Sequence, residues 1–557
     1  MRFTPSLILA LVAIGCSEDS GPTSPNARGA WFSEVPSSGV DFRHDADIRG
    51  RLLLTEVMGG GLAVFDCDGD GDLDLYCVNG GPNGAGGKSA LYTNDGTGAF
   101  TNVTAGAGVD ETGYGMGVAI GDFDNDGDED LFVSCVGGDK LFRNKGDGKF
   151  EDVTEAAGID VAKWSCSAAF LDYDRDGFLD IFVTQYVDFD ERECKGPAGE
   201  LDYCGPLNFD PLPDVLLHNN GDGTFEDVSA TSGIQALAGA GLGVVCNDFN
   251  RDGWVDVYVA NDAYQNHLWI NQKDGTFLDD AMLQGVAFNF HGRPEAGMGV
   301  VAEDLSGDGA TDLFLTHLLE ESNSFYKNLG EYRGFTDATG RAGLAASSMQ
   351  FTGFGVCAFD AELDGDLDIV VANGRVRRRE APSGSVARPP LDLLAESNLF
   401  YRNDGNGRFE MESSSESELC GPADVSRGLA QGDLDGDGDL DLVMTHIDGP
   451  VRIYRNDAPR EGSWLIVDAI DPNLRRRALG AEIELRTGDD TWVRTIRASS
   501  GYLSSQDPRA HFGIPSRVDA TGASLAVLWP DGERERFAVP TLDSLIVVEK
   551  GAGEKMP

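Results

Sequence analysis

Short apolar runs alternate with clusters of Asp, Asn and Gly along most of the chain, and their periodicity is that of strands rather than helices. One unit recurs, seen clearly from Gly115 to Val133: an apolar run, an acidic loop beginning at Asp122, and a second apolar run. Seven such loops begin at Asp66, Asp122, Asp172, Asp248, Asp304, Asp360 and Asp433, at steps of 56, 50, 76, 56, 56 and 73 residues. Each unit predicts four strands. The first is small and apolar, as in Gly59–Phe65 or Gly241–Val245, and the second follows the loop, as in Leu131–Val133 or Val257–Val259. The third and fourth form a hairpin such as Leu141–Thr154, with close copies from Leu91, Leu217, Leu268, Phe325 and Leu399. Asn and Gly at its turn supply the positive φ angles such hairpins need.

Four-stranded units at a period near 55 predict an all-β fold, a seven-bladed β-propeller with one blade per repeat. The seventh copy lacks its last strand after Ile453-Tyr454-Arg455-Asn456. Phe32-Ser33-Glu34-Val35, at the other end of the repeats, matches the missing strand and is expected to close the ring over residues 30–458. The two long steps place insertions at 186–213 and 374–396. The second holds Arg375, Arg377, Arg378, Arg379 and Arg388 and reads either as a binding loop or as local neutralisation of acid. Beyond Asp457 the loops stop, and 460–550 alternates apolar with polar as a separate small β domain, followed by a tail at 551–557.

The loops carry oxygen donors at positions 1, 3, 5 and 9 with glycine at 6, a spacing that wraps ligands around one hard cation, expected to be Ca²⁺. The donor sets are Asp66, Asp68, Asp70, Asp74; Asp122, Asp124, Asp126, Asp130; Asp172, Asp174, Asp176, Asp180; and Asp433, Asp435, Asp437, Asp441. Three loops depart from all-Asp: Asp248, Asn250, Asp252, Asp256; Asp304, Ser306, Asp308, Asp312; and Asp360, Glu362, Asp364, Asp368. Strands flank these loops and no Glu stands at position 12, so they differ from EF-hands. The expected role is structural, about seven ions tying strand to strand.

Charge supports this reading. Of 94 acidic residues, 26 occupy these loop positions, and seven divalent ions would bring the net charge of −51 to about −37. Such acidity argues against a nucleic-acid partner. Residues 1–15 read as a signal peptide ending Val12-Ala13-Ile14-Gly15 before Cys16, a lipoprotein-type pattern in which Cys16 bears the lipid; ordinary secretion is the alternative. A flexible tether would then span 16–29. An exported address permits disulfides, with Cys194 and Cys204 as the candidate pair; Cys67 and Cys77 could also bridge, and Cys166, Cys246 and Cys357 read as buried thiols.

A polar ring is a second candidate site. Five residues after each position-9 carboxylate stand Asn79, Cys135, Gln185, Asn261, His317, Asn373 and His446, at the end of strand two away from the metal loops. With Glu295, Trp164 and Arg427 they would surround the channel mouth and bind a ligand, or they simply cap strand ends. HExxH, GxSxG, P-loop and CxxC motifs are absent, so catalysis is not the leading reading; His317, His446 and Glu295 would be the place for it.

Together these residues resemble the bacterial relatives of cartilage acidic protein, in which an integrin-α-like propeller of FG-GAP (VCBS) repeats precedes an ASPIC/UnbV domain. The resemblance rests on the repeats, on Asn261-Asp262 with Gly292–Gly299, and on Gly480-Ala481, Ser500–Asp507, His511-Phe512-Gly513 and Trp529-Pro530-Asp531-Gly532. It implies Ca²⁺ at the loops and covers nearly the whole mature chain. The function it favours is a Ca²⁺-stabilised, exported or envelope-anchored module that binds a protein or glycan at the cell surface, touching membrane only through an N-terminal lipid. An enzyme at the channel mouth, acting in natural-product or glycan chemistry, and a structural envelope component are the alternatives.

Overall fold

The computed structural model describes residues 31–48, 50–81, 87–109, 113–196, 199–330, 333–412 and 417–556. The signal peptide, Cys16 and the tether lie outside the described residues.

Among the described residues, seven four-stranded antiparallel sheets form the first part. The second sheet is typical, with strands Tyr114–Gly121, Asp130–Val136, Lys140–Asn144 and Phe150–Asp152. Its first two strands flank the acidic loop, since Gly121 pairs with Asp130 across it. The innermost strand of each sheet packs against that of the next, and the inner strand of the seventh, Ser426–Gly432, meets that of the first, Leu62–Phe65. The sheets therefore close a propeller ring. Phe32–Glu34 is the outer strand of the seventh sheet, with Phe32 opposite Asn456 and Glu34 opposite Tyr454. Chain ends joined in one sheet leave no unpaired edge at the closure.

Close approach at the centre explains the small inner strands. A Cβ on Gly61 would lie 2.8 Å from the Met116 carbonyl oxygen of the next sheet and 2.3 Å from that of Leu503, so no larger residue fits. Between adjacent sheets lie layers of Leu, Val, Ile and Phe, such as Phe65, Val118, Leu131 and Phe142 between the first and second.

The C-terminal part has its own core, including Leu465, Val467, Ile483, Phe512, Leu525 and Trp529. One sheet centres on Gly462–Asp471, which pairs antiparallel with Ala510–Pro515 and parallel with Ser544–Glu549. The other runs Asp490–Thr495, Glu482–Thr487, Ser524–Leu528, Arg534–Ala538, Glu554–Lys555. From this part the turn Gly501–Ser505 enters the propeller channel. Val118 and Val64 donate backbone N–H to Leu503 and Ser505 at 3.1 Å, and Gly501 exchanges hydrogen bonds with Val300. Tyr502 is fully buried, edge-on to Phe354 at 5.0 Å, and its hydroxyl donates to the Met58 carbonyl at 2.6 Å. The channel is filled by the chain's own hairpin.

Cys194 and Cys204 form a disulfide. Cys67 and Cys77, a possible second bridge on sequence, are separate buried thiols.

Candidate metal loops and the two ends of the ring

Each loop is held by its own backbone before any ligand is considered. In the first, Asp66 accepts the N–H groups of Gly69 (2.8 Å) and Gly71 (3.0 Å), and Asp70 accepts that of Asp72 (3.0 Å). Asp74 accepts from Cys67 (2.9 Å) and from Asn94 (2.8 Å). The same pattern recurs in the second loop, where Asp122 accepts from Gly127 and Asp130 from Phe123 and Asn144. These bonds gather several carboxylates into a small volume. In the loops at 66, 122, 172 and 433, oxygens from three different Asp residues lie within 4.8 Å of one another.

Charge so crowded is only partly compensated by neighbouring Lys and Arg. Burial first, with neighbouring carboxylates adding to it, pushes Asp122 up to about 7 and Asp433 up to about 6, and holds Asp130 and Asp441 well above the usual range. The position-3 atoms Asp68 Oδ1, Asp124 Oδ1, Ser306 Oγ, Glu362 Oε2 and Asp435 Oδ1 are buried with no hydrogen-bond partner among the described residues. Unpaired hard oxygens converging inside an acidic loop fit a divalent cation, and Asp66, Asp68, Asp70 and their counterparts are the residues that would hold it. The sixth loop differs, because Glu362 adds to the burial that holds the Asp368 carboxyl well above the usual range.

The hairpin asparagine has a role the pattern did not reveal. Beyond its turn, its Nδ2 donates to the position-2 carbonyl of the preceding sheet's loop. The bonds are Asn144 to Cys67 (2.9 Å), Asn219 to Phe123 (2.8 Å), Asn271 to Tyr173 (2.8 Å), Asn328 to Phe249 (3.5 Å), Asn403 to Leu305 (2.9 Å) and Asn456 to Ala361 (3.0 Å). Asn94 to Leu434 (2.8 Å) closes the circle. Its fixed place at the end of the third strand of every sheet was the available signal. A further missed residue is His218, whose Nδ1 lies 3.2 Å from Asp180 Oδ1 and 3.5 Å from Asp174 Oδ2. Its hydrogen bond to Asp180 pushes the imidazole up to about 9.

The loop face is covered by arginines of the C-terminal part. Arg477 pairs with Glu129 at 2.7 Å, Arg460 with Asp439 at 2.8 Å, and Arg476 donates to Asn125 and to the Gly177 carbonyl.

At the opposite end the seven polar residues are all buried, none more than 2 % exposed. Each bonds within its own repeat. Asn79 donates to Lys88 O (3.2 Å), Gln185 to Ser165 Oγ (2.7 Å), Asn261 to Gln265 O (2.8 Å) and Asn373 to Ser397 O (2.8 Å). His446 Nδ1 lies 2.9 Å from Pro450 O, and Cys135 Sγ 3.7 Å from Val133 O. These bonds hold the strand ends, while Asn261 Oδ1, Asn373 Oδ1, His317 Nδ1 and His446 Nε2 are buried without a partner among the described residues. Of the three residues at which catalysis would be sought, Glu295 and His317 meet at 3.8 Å, with Ser324 Oγ 3.0 Å from the imidazole, whereas His446 belongs to another sheet. Arg427 and Trp164 are core residues. Arg427 donates to Val57 O and Ser426 O at 2.7 Å and stacks 3.8 Å over Phe354, while Trp164 packs on Tyr186 and Phe189.

The insertions cover this end. Tyr203, Phe209 and Cys204 from one, with Leu391 and Leu394 from the other, share a core with Val57, Met58 and Tyr502. Arg378 spans between them to Asp202 at 3.0 Å, and Arg375 pairs with Glu396 at 2.9 Å.

Comparison with known proteins adds three findings. Residues 66–133, 122–183, 207–259, 248–315 and 391–444 match the FG-GAP-like repeat, and 471–555 match ASPIC and UnbV. Cartilage acidic protein 1 of Mus musculus is 27% identical over 376 residues, covering 58% of this chain and 56% of the relative. That of Homo sapiens is 27% identical over 360 residues, covering 55% and 53%. The chain thus spans about half the length of the curated relatives it matches. Among solved structures, the BP39L lectin of Burkholderia pseudomallei aligns at TM-score 0.43 and 12% identity over 72% of this chain and 97% of that one. A lectin of Agrocybe aegerita aligns at TM-score 0.38 and 16% identity over 70% and 86%.

Proposed function

The chain belongs to the cartilage acidic protein family, FG-GAP repeats joined to an ASPIC/UnbV domain, and from that premise we propose that it is an exported binding module, stiffened by Ca²⁺ in its acidic loops. Its partner is a protein or glycan met at the outer surface of the two insertions. One observation carries this reading: both ends of the ring are occupied by the chain itself. The hairpin at Tyr502 fills the channel from the loop side, and the insertions meet over the other end through Arg378 and Asp202. With the described residues of the insertions packed over this end, the surface offered to a partner is the outer side of that cover, where Arg377 and Arg379 are exposed. Long loops on a rigid scaffold are where partners are usually met.

Two measurements test it. Metal analysis and thermal unfolding, with Ca²⁺ and with chelator, should find several ions per chain and a large drop in melting temperature on chelation. Binding to glycan arrays and surface-protein libraries should then be lost in an Arg377→Glu/Arg379→Glu variant that melts like the parent. Binding unaffected by that variant would refute the assigned face. Unchanged melting on chelation would refute the metal role.

A further inference from the structure

Where the third and fourth acidic loops meet the C-terminal part there is a cavity of about 80 Å³. Its apolar wall includes Phe170, Val255, Ile496 and Trp529. Polar groups on the same wall include Arg497 and Arg175. Arg497 is 7% exposed and lies between this cavity and a smaller neighbour. Its Nη2 is engaged with the Ala302 carbonyl and the Glu303 carboxylate, yet Nε and Nη1 are buried without a partner among the described residues. Arg175 stacks 4.3 Å over Trp254, and its Nη2 is likewise buried and unpartnered.

A buried guanidinium donor left unpaired is costly, and two arginines contribute three such nitrogens here. Asp172, Asp248 and Glu482 also line the cavity. Asp248 is turned to its own loop, accepting Asp252 and Gly253, and Asp172 accepts Gly177, with Oδ1 its one unpartnered atom. Among the buried unpartnered atoms of these described residues the three guanidinium donors outnumber the one carboxylate oxygen, and Glu482, Asn247 and Ser499 are the other polar groups on a wall that is otherwise largely apolar. We propose that this cavity binds a short-chain carboxylate, its head on the free guanidinium donors and its alkyl chain against Phe170, Ile496 and Trp529. The volume corresponds to roughly six water-sized positions, which suits a molecule the size of butyrate. Such a ligand would touch the ring and the C-terminal part at once.

The probe is sodium butyrate, titrated into the full mature chain at fixed Ca²⁺ and ionic strength, with sodium chloride and butylammonium chloride as controls. Calorimetry and thermal shift should show saturable binding by butyrate, absent for both controls, and at least tenfold weaker in Arg497→Met. Should Arg497→Met fail to fold, Val255→Phe, which fills the cavity and keeps the arginine, should lose butyrate to the same degree. Butyrate indistinguishable from chloride, or bound equally by the filled variant, overturns the proposal.

Discussion

Replacing Asn219 by alanine tests the idea that inter-sheet asparagines hold the ring together. The side chain is 1% exposed. Its Nδ2 donates to Phe123 O of the preceding loop at 2.8 Å and to Leu179 O at 3.0 Å, while Oδ1 accepts Gly221 N–H at 3.0 Å. Alanine leaves two buried carbonyls and one half-buried N–H without partners. At about 1–3 kcal/mol per buried unsatisfied group, with less than full additivity, the loss should be about 3–4 kcal/mol. Asn220 next to it is exposed and bonds only within its own turn, to Thr224 at 3.0 Å. Asn220→Ala should cost under about 0.5 kcal/mol. Urea unfolding at saturating Ca²⁺, followed by tryptophan fluorescence, reads both as shifts in midpoint at constant slope. Asn219→Asp keeps volume and acceptor but removes the donor, so it should fall with alanine. The reasoning fails if Asn219→Ala lies within 1 kcal/mol of Asn220→Ala.

Three further outcomes are expected. Ser306→Asp restores the fourth carboxylate of the fifth loop, so it should lower the melting temperature in chelator, through repulsion from Asp304 and Asp308, and raise it in Ca²⁺; one sign in both conditions would contradict the cage. Tyr502→Ala should cost about 3–5 kcal/mol through the cavity left in the filled channel, and Tyr502→Phe about 1 kcal/mol through the orphaned Met58 carbonyl, both read by thermal unfolding. Asp139, which accepts Cys135 N–H and Ser165 Oγ–H, is pushed by burial up to about 8. Its folded value lies above the unfolded one, so it is protonated in the fold and penalises the folded state as pH rises from about 4 to 8. Asp139→Asn should therefore flatten the pH dependence of stability over that window, gaining most at pH 8; equal effects at pH 5 and pH 8 would contradict the assignment.

Local chemistry made the ring legible. Acidic loops, a fixed Asn-Gly hairpin and small inner strands each recur in sequence, so four-stranded sheets and even the strand donated by Phe32–Glu34 follow from pattern alone. What lay between repeats did not. The bond from Asn219 to Phe123 crosses 96 residues, and nothing in either segment names the other. The insertion of Tyr502 into the channel crosses more than 400 residues to reach Met58. The polar ring was legible as a pattern but not in its role, for a related reason. Asn79 bonds a turn carbonyl and Gln185 a strand hydroxyl, and period alone does not separate a cap from a ligand.

The acidity of the ring and the arginines of the C-terminal part belong to one electrostatic arrangement. Arg460 pairs with Asp437 and Asp439, Arg476 approaches Asp172 at 3.9 Å, and Arg477 bridges Glu129 and Asp468. Arg476 and Arg477 are nearly buried, so their pairing is screened little by salt. These arginines offset only part of the loop charge, and the remainder is what a divalent ion would meet. If the proposed ions are bound, removing them would act twice, loosening each loop and leaving carboxylates to compete for the same arginines. Chelation should thus expose the connection near Arg460 to trypsin at temperatures where the ring itself remains folded. Cleavage that appears only together with global unfolding would mean that the arginine contacts hold the C-terminal part without help from the loops.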